Sequence, residues 1–469
     1  MKKIIFFFYI SIFSNSGFSQ RVVSPLPTKQ QLAWHEQEFY LFMHFGPNTF
    51  TNKEWGEGTE SEDIFNPSQL DCRQWCRIAK AAGAKGIIIT AKHHDGFCLW
   101  PSKYSKHTVR ESKWKNGKGD VLKELSQACR EYGLKFGVYL SPWDRNHPKY
   151  GTNEYNDVFV NMMKEIFTSY GPVWELWWDG ANGEGPNGKK QVYDWKRFEN
   201  TVRKLSPNTV VFSDIGPDIR WVGNEQGFAG ETNWNFLDTA GFTRGLGAPH
   251  VDTLNIGNYN GKNWIPAECD VSIRPGWFYH KEEDGKVKTP EELFAIYLKS
   301  VGRGANLLLN VPPDQRGKIH EKDSAALIGF KKIRGASFKQ GILSEPKNKF
   351  KLIFDPALIS FNGKTETLEF KTASENSISI SFEKPVEFNT VVIRENLQFG
   401  QRVRQFVVQI LDENNKSHFV YGTSIGHKRI LTFPKIKTSY VAIRLLQADK
   451  PAMLGVFDFY MIDEKLISK

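Results

Sequence analysis

The sequence predicts a (β/α)8-like barrel followed by an all-β sandwich, and three observations carry that prediction. From Phe39 to about Ala336, short apolar runs alternate with helical periodicities. Glycines close these helices and release the chain straight into the next apolar run. From about Phe350 onward the pattern changes to short alternating segments separated by turn residues. At 469 residues the chain has room for two or three domains.

The runs Tyr40–His44, Gly86–Thr90, Lys135–Leu140, Val173–Trp178, Val210–Ser213 and Asn306–Asn310 read as barrel strands. Leu70–Ala82 reads as a helix stopped by Gly83. In Asp120–Tyr132, Asp120 is placed to cap a helix whose stripe is Val121, Leu122, Leu125, Ala128, Cys129 and Tyr132, and Gly133 ends it. Between Asp214 and His280 the pattern blurs, which predicts an irregular, loop-rich part of the barrel. Ser377–Phe382, Thr390–Arg394, Val403–Ile410 and Tyr440–Leu445 read as sandwich strands, with a turn at Asp412-Glu413-Asn414-Asn415.

Lys2 and Lys3 precede the apolar stretch Ile4–Phe13, and Gly17-Phe18-Ser19 offers small residues for cleavage. This predicts a signal peptide over residues 1–19, too short to span a bilayer, and an exported protein that is periplasmic or extracellular. The expected divisions are therefore 1–19, a barrel over 20–342 and a sandwich over 343–469. Losing two lysines lowers the formal charge from +10 to +8. The basic residues are scattered, with none of the aromatic-interleaved runs of a nucleic-acid surface, and no later segment reaches membrane-span length. The five cysteines, Cys72, Cys76, Cys98, Cys129 and Cys269, are odd in number and widely spaced, so buried free thiols are expected.

The chemistry concentrates in Trp174-Glu175-Leu176-Trp177-Trp178-Asp179-Gly180, an aromatic strand ending in one acid. In alternating α/β folds the carboxyl ends of strands hold the ligand. There a carboxylate flanked by indoles suits sugar chemistry, supplying negative charge or a nucleophile beside flat apolar surface. Two further motifs lie at strand ends: Met43-His44-Phe45-Gly46-Pro47 with Glu54-Trp55, and Lys92-His93-His94-Asp95-Gly96-Phe97. A metal-dependent hydrolase using His93, His94 and Asp95 is one rival reading. Adjacent histidines tend to point apart, however, and no HxH or HExxH spacing is present, so no metal and no cofactor is expected. A second rival is a non-catalytic glycan-binding protein on the same barrel, which predicts loss of one of the acids. Glycoside cleavage needs a second carboxyl group to protonate the leaving oxygen, and Glu225, Glu231 and Glu268 all lie on the loop-rich stretch.

Five segments together resemble the glycoside hydrolase family 29 α-L-fucosidases: MHFGPNTF with EWG, KHHDGFCLW, ELWWDG, WVGNEQG, and PAECDVSIRPGWFYH with GANLLLNVPP. The likeness covers about residues 30 to 340 and implies a (β/α)8-like catalytic barrel followed by a β-sandwich. It implies that Asp179 is the nucleophile and that His44, Glu54, Trp55, His93, His94, Tyr139 and Trp177 shape the sugar pocket. Glu268, Arg274 and Trp277 are assigned to substrate binding on the same ground. The GNE and RPGWF segments are similar to the branch acting on α-1,3 and α-1,4 fucosyl linkages, in which the GNE glutamate is the acid/base. That makes Glu225 the acid/base, with Glu268 in reserve. Trp55, Trp177, Phe45 and Trp277 are expected to form an apolar wall for the fucose methyl group. The expected partner is a fucosylated oligosaccharide or glycoprotein glycan; the sequence sets no oligomeric state.

Overall fold

The computed structural model describes residues 25–362, 367–372, 376–449 and 451–467, so the signal-peptide expectation lies outside the described residues. Two compact units are present, one spanning Pro27–Arg334 and one that includes Gly335–Lys469.

The first unit is a closed, all-parallel barrel of eight strands: β1 Phe39–Met43, β2 Gly86–Lys92, β3 Lys135–Leu140, β4 Glu175–Trp177, β5 Val210–Ser213, β6 Ile219–Trp221, β7 Ala267–Ser272 and β8 Asn306–Asn310. Each strand pairs with its sequence neighbours, and β1 closes on β8. Helices α1 Lys29–His35, α2 Cys72–Ala82, α3 Val121–Tyr132, α4 Glu154–Ser169, α5 Trp195–Leu205, α6 Pro290–Lys299 and α7 Glu321–Ser337 accompany the strands. The caps are those the residues call for. Asp71 and Asp120 accept from the amides of Gln74 and Lys123, and Gly83 and Gly133 take the left-handed conformation at the C-termini of α2 and α3.

The barrel interior is filled by alternate residues of the strands, among them Tyr40, Phe42, Ile88, Tyr139, Trp177, Phe212, Ile219 and Leu308. Two strands, β6 and β7, lie inside the stretch that reads as loop. In β7 the inward positions are Glu268 and Asp270, while Ala267 and Cys269 pack outward with Val222, Ala229 and Ala305. Its alternation is real, but acids occupy the face where an apolar run would be sought. The β5–β6 connection, Asp214 to Asp218, contains no helix, which is the irregularity expected of this region.

All five cysteines are buried and free, as expected. Cys76 and Cys129 face each other across α2 and α3 with sulfurs 3.8 Å apart.

The second unit is an eight-stranded antiparallel sheet of β9 Phe350–Ile353, β10 Ile359–Asn362, β11 Thr367–Phe370, β12 Asn376–Glu395, β13 Val403–Asp412, β14 Ser417–Gly422, β15 Arg429–Ala448 and β16 Ala452–Tyr460. The two sequence segments around Ser377 and Thr390 merge into β12, whose pairing with β15 shifts register between Ser381 and Val386. One apolar core, including Ile378, Phe388, Phe406, Ile443 and Phe459, unites the strands. Among the described residues no helix is long and apolar enough to cross a membrane.

Candidate active site

Because the barrel strands are parallel, their carboxyl ends open on one face, where the chain leaves the sheet. That face holds a cavity of about 230 Å³. His44, Glu54 and Trp55 reach it from beyond β1, and His93 and His94 from the end of β2. Tyr139, Trp177 and Asp179 arrive from β3 and β4, and Glu225 and Trp277 from the loops after β6 and β7. Nine of the sequence-predicted residues besides Asp179 thus converge from distant parts of the chain.

Asp179 stands at the base with both carboxylate oxygens engaged. Tyr139 donates its hydroxyl to Oδ2 at 3.1 Å, and the Ala181 amide donates to Oδ1 at 2.7 Å. Burial and the adjacent Asp179 charge hold the Tyr139 phenol well above its usual range, so it remains a donor. The Tyr139 ring stacks on Trp177 (5.3 Å, 27°), which in turn stacks on Phe212 (3.9 Å, 10°). Aromatic packing therefore fixes the donor that aims the acid.

The three histidines are neutral, with burial the largest cause. His44 is lowered to about 3 and His94 to about 4, and His93 falls well below its usual range, helped by the other two rings. Their tautomers follow from their neighbours. Asn310 donates its amide to Ser272 Oγ and the Trp277 carbonyl, so its oxygen accepts from His44 Nδ1 at 2.8 Å. Ser141 donates to the Trp143 carbonyl and accepts from His94 Nδ1 at 2.8 Å. In both rings Nε2 is left as an acceptor, and that of His94 lies 3.9 Å from Asp179 Oδ2. His93 Nδ1 is buried with no partner among the described residues. Such an orphan is costly unless a polar ligand answers it.

Glu54, Trp277 and Trp55 line the cavity beside the histidines. Glu54 accepts from the amides of Trp277 (2.7 Å) and Phe278 (3.2 Å). Trp55 is 54% exposed at the rim, edge-on to His94 and Trp143. Glu225 is exposed at the mouth and accepts from Trp277 Nε1 at 3.2 Å. Its loop is shaped by Asn224, whose side-chain oxygen accepts from the Gln226 amide, and by Gly223 and Gly227, both at positive φ.

Three expectations are corrected. Glu268 does not line the cavity: it is fully buried beneath Trp177, accepting from that indole at 2.8 Å and from the Tyr40 hydroxyl. Arg274 is also fully buried, with its Nε paired to Asp323 and its Nη1 to Asp284, both at 2.9 Å. Phe45 packs inside an aromatic cluster with Phe50, Phe65 and Trp75. Conversely, Phe42 and Asp270 line the cavity without having stood out in the sequence. Burial, then the charges of Glu225 and Glu268, push the Asp270 carboxyl well up, and Trp221 Nε1 donates to it at 3.0 Å. The period-2 alternation of β7 was the available signal for Asp270. Among the described residues no group of three or more His, Cys, Asp or Glu side chains is arranged to hold a metal ion.

The sequence profile of the family described as Alpha-L-fucosidase matches residues 15–332. Over 455 residues the chain is 40% identical to Alpha-L-fucosidase 1 of Arabidopsis thaliana, covering 93% of this chain and 89% of that protein. The crystal structure of a glycoside hydrolase 29 family member from an unknown rumen bacterium is 40% identical, with a TM-score of 0.83 over 94% of this chain and 78% of that one. A Ruminococcus gnavus fucosidase of the same family, solved in complex with fucose, is 29% identical, with a TM-score of 0.86 over 96% of this chain and 98% of its own.

Proposed function

The chain belongs to the α-L-fucosidase family of glycoside hydrolases, and on that premise we propose an exported, retaining enzyme that removes terminal α-1,3- and α-1,4-linked L-fucose from branched oligosaccharides or glycoconjugates. The observation that carries the mechanism is the contrast between its two acids. Asp179 is pinned at the cavity base by a phenol and a backbone amide, each donating to one of its carboxyl oxygens. Glu225 hangs at the mouth, where a leaving sugar departs, held by one indole donor.

In this reading Asp179 attacks the anomeric carbon and Glu225 protonates the departing oxygen. Water, deprotonated by Glu225, then releases fucose from the covalent intermediate. The neutral imidazoles of His44 and His94 accept hydrogen bonds from sugar hydroxyls, while Trp177, stacked on Tyr139, and Trp277, tilted against His44, give the ring apolar contact. The GNE and RPGWF segments support the α-1,3/1,4 assignment, and the apolar stretch Ile4–Phe13 supports export.

Proton NMR of the sugar first released tests the mechanism, with the α anomer expected; initial release of the β anomer overturns the two-step displacement. Comparing fucose release from α-1,2-, α-1,3- and α-1,4-linked oligosaccharides tests the linkage. Preference for the α-1,2 linkage overturns that part alone.

A further inference from the structure

We propose that His280 is a positioning residue for sugar binding, acting through Glu54. The proposal rests on the fucosidase reading and deepens it. Glu54 comes from the loop after β1 and His280 from the loop after β7, and the two meet with Nε2 2.5 Å from Glu54 Oε1. The other ring nitrogen, Nδ1, lies 2.7 Å from Asn52 Oδ1. The Asn52 amide is oriented by its own partner: Nδ2 donates to Glu282 Oε1 at 2.8 Å, which turns the oxygen towards the histidine. His280 therefore faces an acceptor on each side. A hydrogen is required on Nδ1 for Asn52 and another between Nε2 and the carboxylate. The chain Glu282–Asn52–His280–Glu54 is one polarised relay ending at the cavity wall.

The consequence is what Glu54 has left to offer. A carboxylate has about four acceptor sites. Three are filled by the Trp277 amide, the Phe278 amide and His280, while the side chain stays 39% exposed where it lines the cavity. Held at three points, the carboxylate cannot rotate, and its remaining lone pair addresses a single hydroxyl donor of the sugar. Gly276 makes the clamp sterically possible: a Cβ there would lie 2.6 Å from Glu54 Oε1 and 2.8 Å from His280 Cδ2. Neither Asn52 nor His280 lines the cavity, so the histidine acts only through the glutamate it holds.

Steady-state kinetics on 4-nitrophenyl α-L-fucoside, with L-fucose as competitive inhibitor, test this in His280→Ala, His280→Gln, Glu54→Gln and the two Glu54/His280 double variants. For His280→Ala, KM and the L-fucose inhibition constant are expected to rise together by about tenfold or more, the scale of losing a charge-assisted hydrogen bond, while kcat changes little. His280→Gln keeps one N–H donor and should recover part of the loss. Each double variant should be no worse than its worse single, because the two residues act as a unit. Unchanged KM and inhibition constant in folded His280 variants, or effects that multiply in the doubles, would overturn the proposal. Should His280→Ala fail to fold, the glutamine series carries the same comparison. A wild-type enzyme that neither cleaves the aryl fucoside nor binds L-fucose sinks the fucosidase reading and this proposal together; an active wild type with indifferent His280 variants sinks this proposal alone.

Discussion

Tyr139 and Asp179 form the central contact of the site: the phenol donates to carboxylate Oδ2 at 3.1 Å while its ring is stacked on Trp177. Tyr139 lies in β3 and Asp179 follows the adjacent strand β4 by two residues, and the register of the two strands pairs Tyr139 with Trp177. The sheet itself therefore brings the phenol to the acid, and the aromatic stack keeps it from rotating away.

Tyr139→Phe keeps the ring and deletes only the hydroxyl. A hydrogen bond to a charged group is worth about 1.5–3 kcal/mol, so kcat should fall roughly 10- to 100-fold. The melting temperature should shift little, because the Trp177 stack is retained. A variant with wild-type kcat would show that the hydroxyl does not aim Asp179.

Glu268 gives a pH prediction with a definite sign. Burial raises its carboxyl from 4.5 to about 7, and its buried neighbour Glu175 is likewise raised by burial and by Glu268. The folded protein therefore holds this proton more tightly than the unfolded chain. The stability it contributes is complete below about pH 4.5 and lost as pH rises through about 7. Glu268→Gln stays neutral and retains an acceptor for the Trp177 indole. Thermal melts across that window should show a shallower decline for the variant than for wild type, and equal slopes would contradict the assignment.

The strand-end motifs were legible because each joins an apolar run to a polar residue in consecutive sequence, as at His44, His93 and Asp179. The remaining features depend on partners far along the chain. Asn310 turns towards His44 because Ser272 and Trp277 hold its amide, and no spacing announces that meeting. Arg274 sits in a segment that resembles a substrate-binding motif, yet Asp323 and Asp284 claim its guanidinium. The short strand β6 was obscured by Arg220, whose buried guanidinium donates to the carbonyls of Leu254, Ile265 and Trp234 and stitches the loop-rich side together. A charged residue in a three-residue strand gives no apolar signal.

Lys92, immediately before the paired histidines, is fully buried and lies 3.2 Å from Asp144 Oδ2. Burial alone would raise the Asp144 carboxyl, but Lys92 and His147, with the backbone amides of His147 and Asn146, hold it below its usual value. Lys92→Met leaves that carboxylate without its cation and should cost about 3–5 kcal/mol. Adding Asp144→Asn removes the stranded charge and should restore part of the loss in denaturant melts. A double variant less stable than Lys92→Met would show that the pair is not what holds this region.

Glu225 and Glu268 can be separated as acid/base by leaving-group dependence. Glu225 is exposed at the cavity mouth, on a loop shaped by Asn224 and by two glycines at positive φ. Glu268 lies under the Trp177 indole, with no exposed surface. General acid catalysis is worth about 100- to 10,000-fold, and only poor leaving groups require it. Glu225→Ala should therefore lose activity on that scale towards fucosylated oligosaccharides, yet far less towards a dinitrophenyl fucoside, whose phenolate departs unprotonated. Azide should then accelerate the variant by attacking the fucosyl-enzyme without a base, giving α-fucosyl azide. Glu268→Ala, which removes the acceptor from Trp177, should depress both substrates alike and gain nothing from azide. If Glu268→Ala instead shows the leaving-group pattern and the azide product, the acid/base role moves there and Glu225 becomes a residue of the rim.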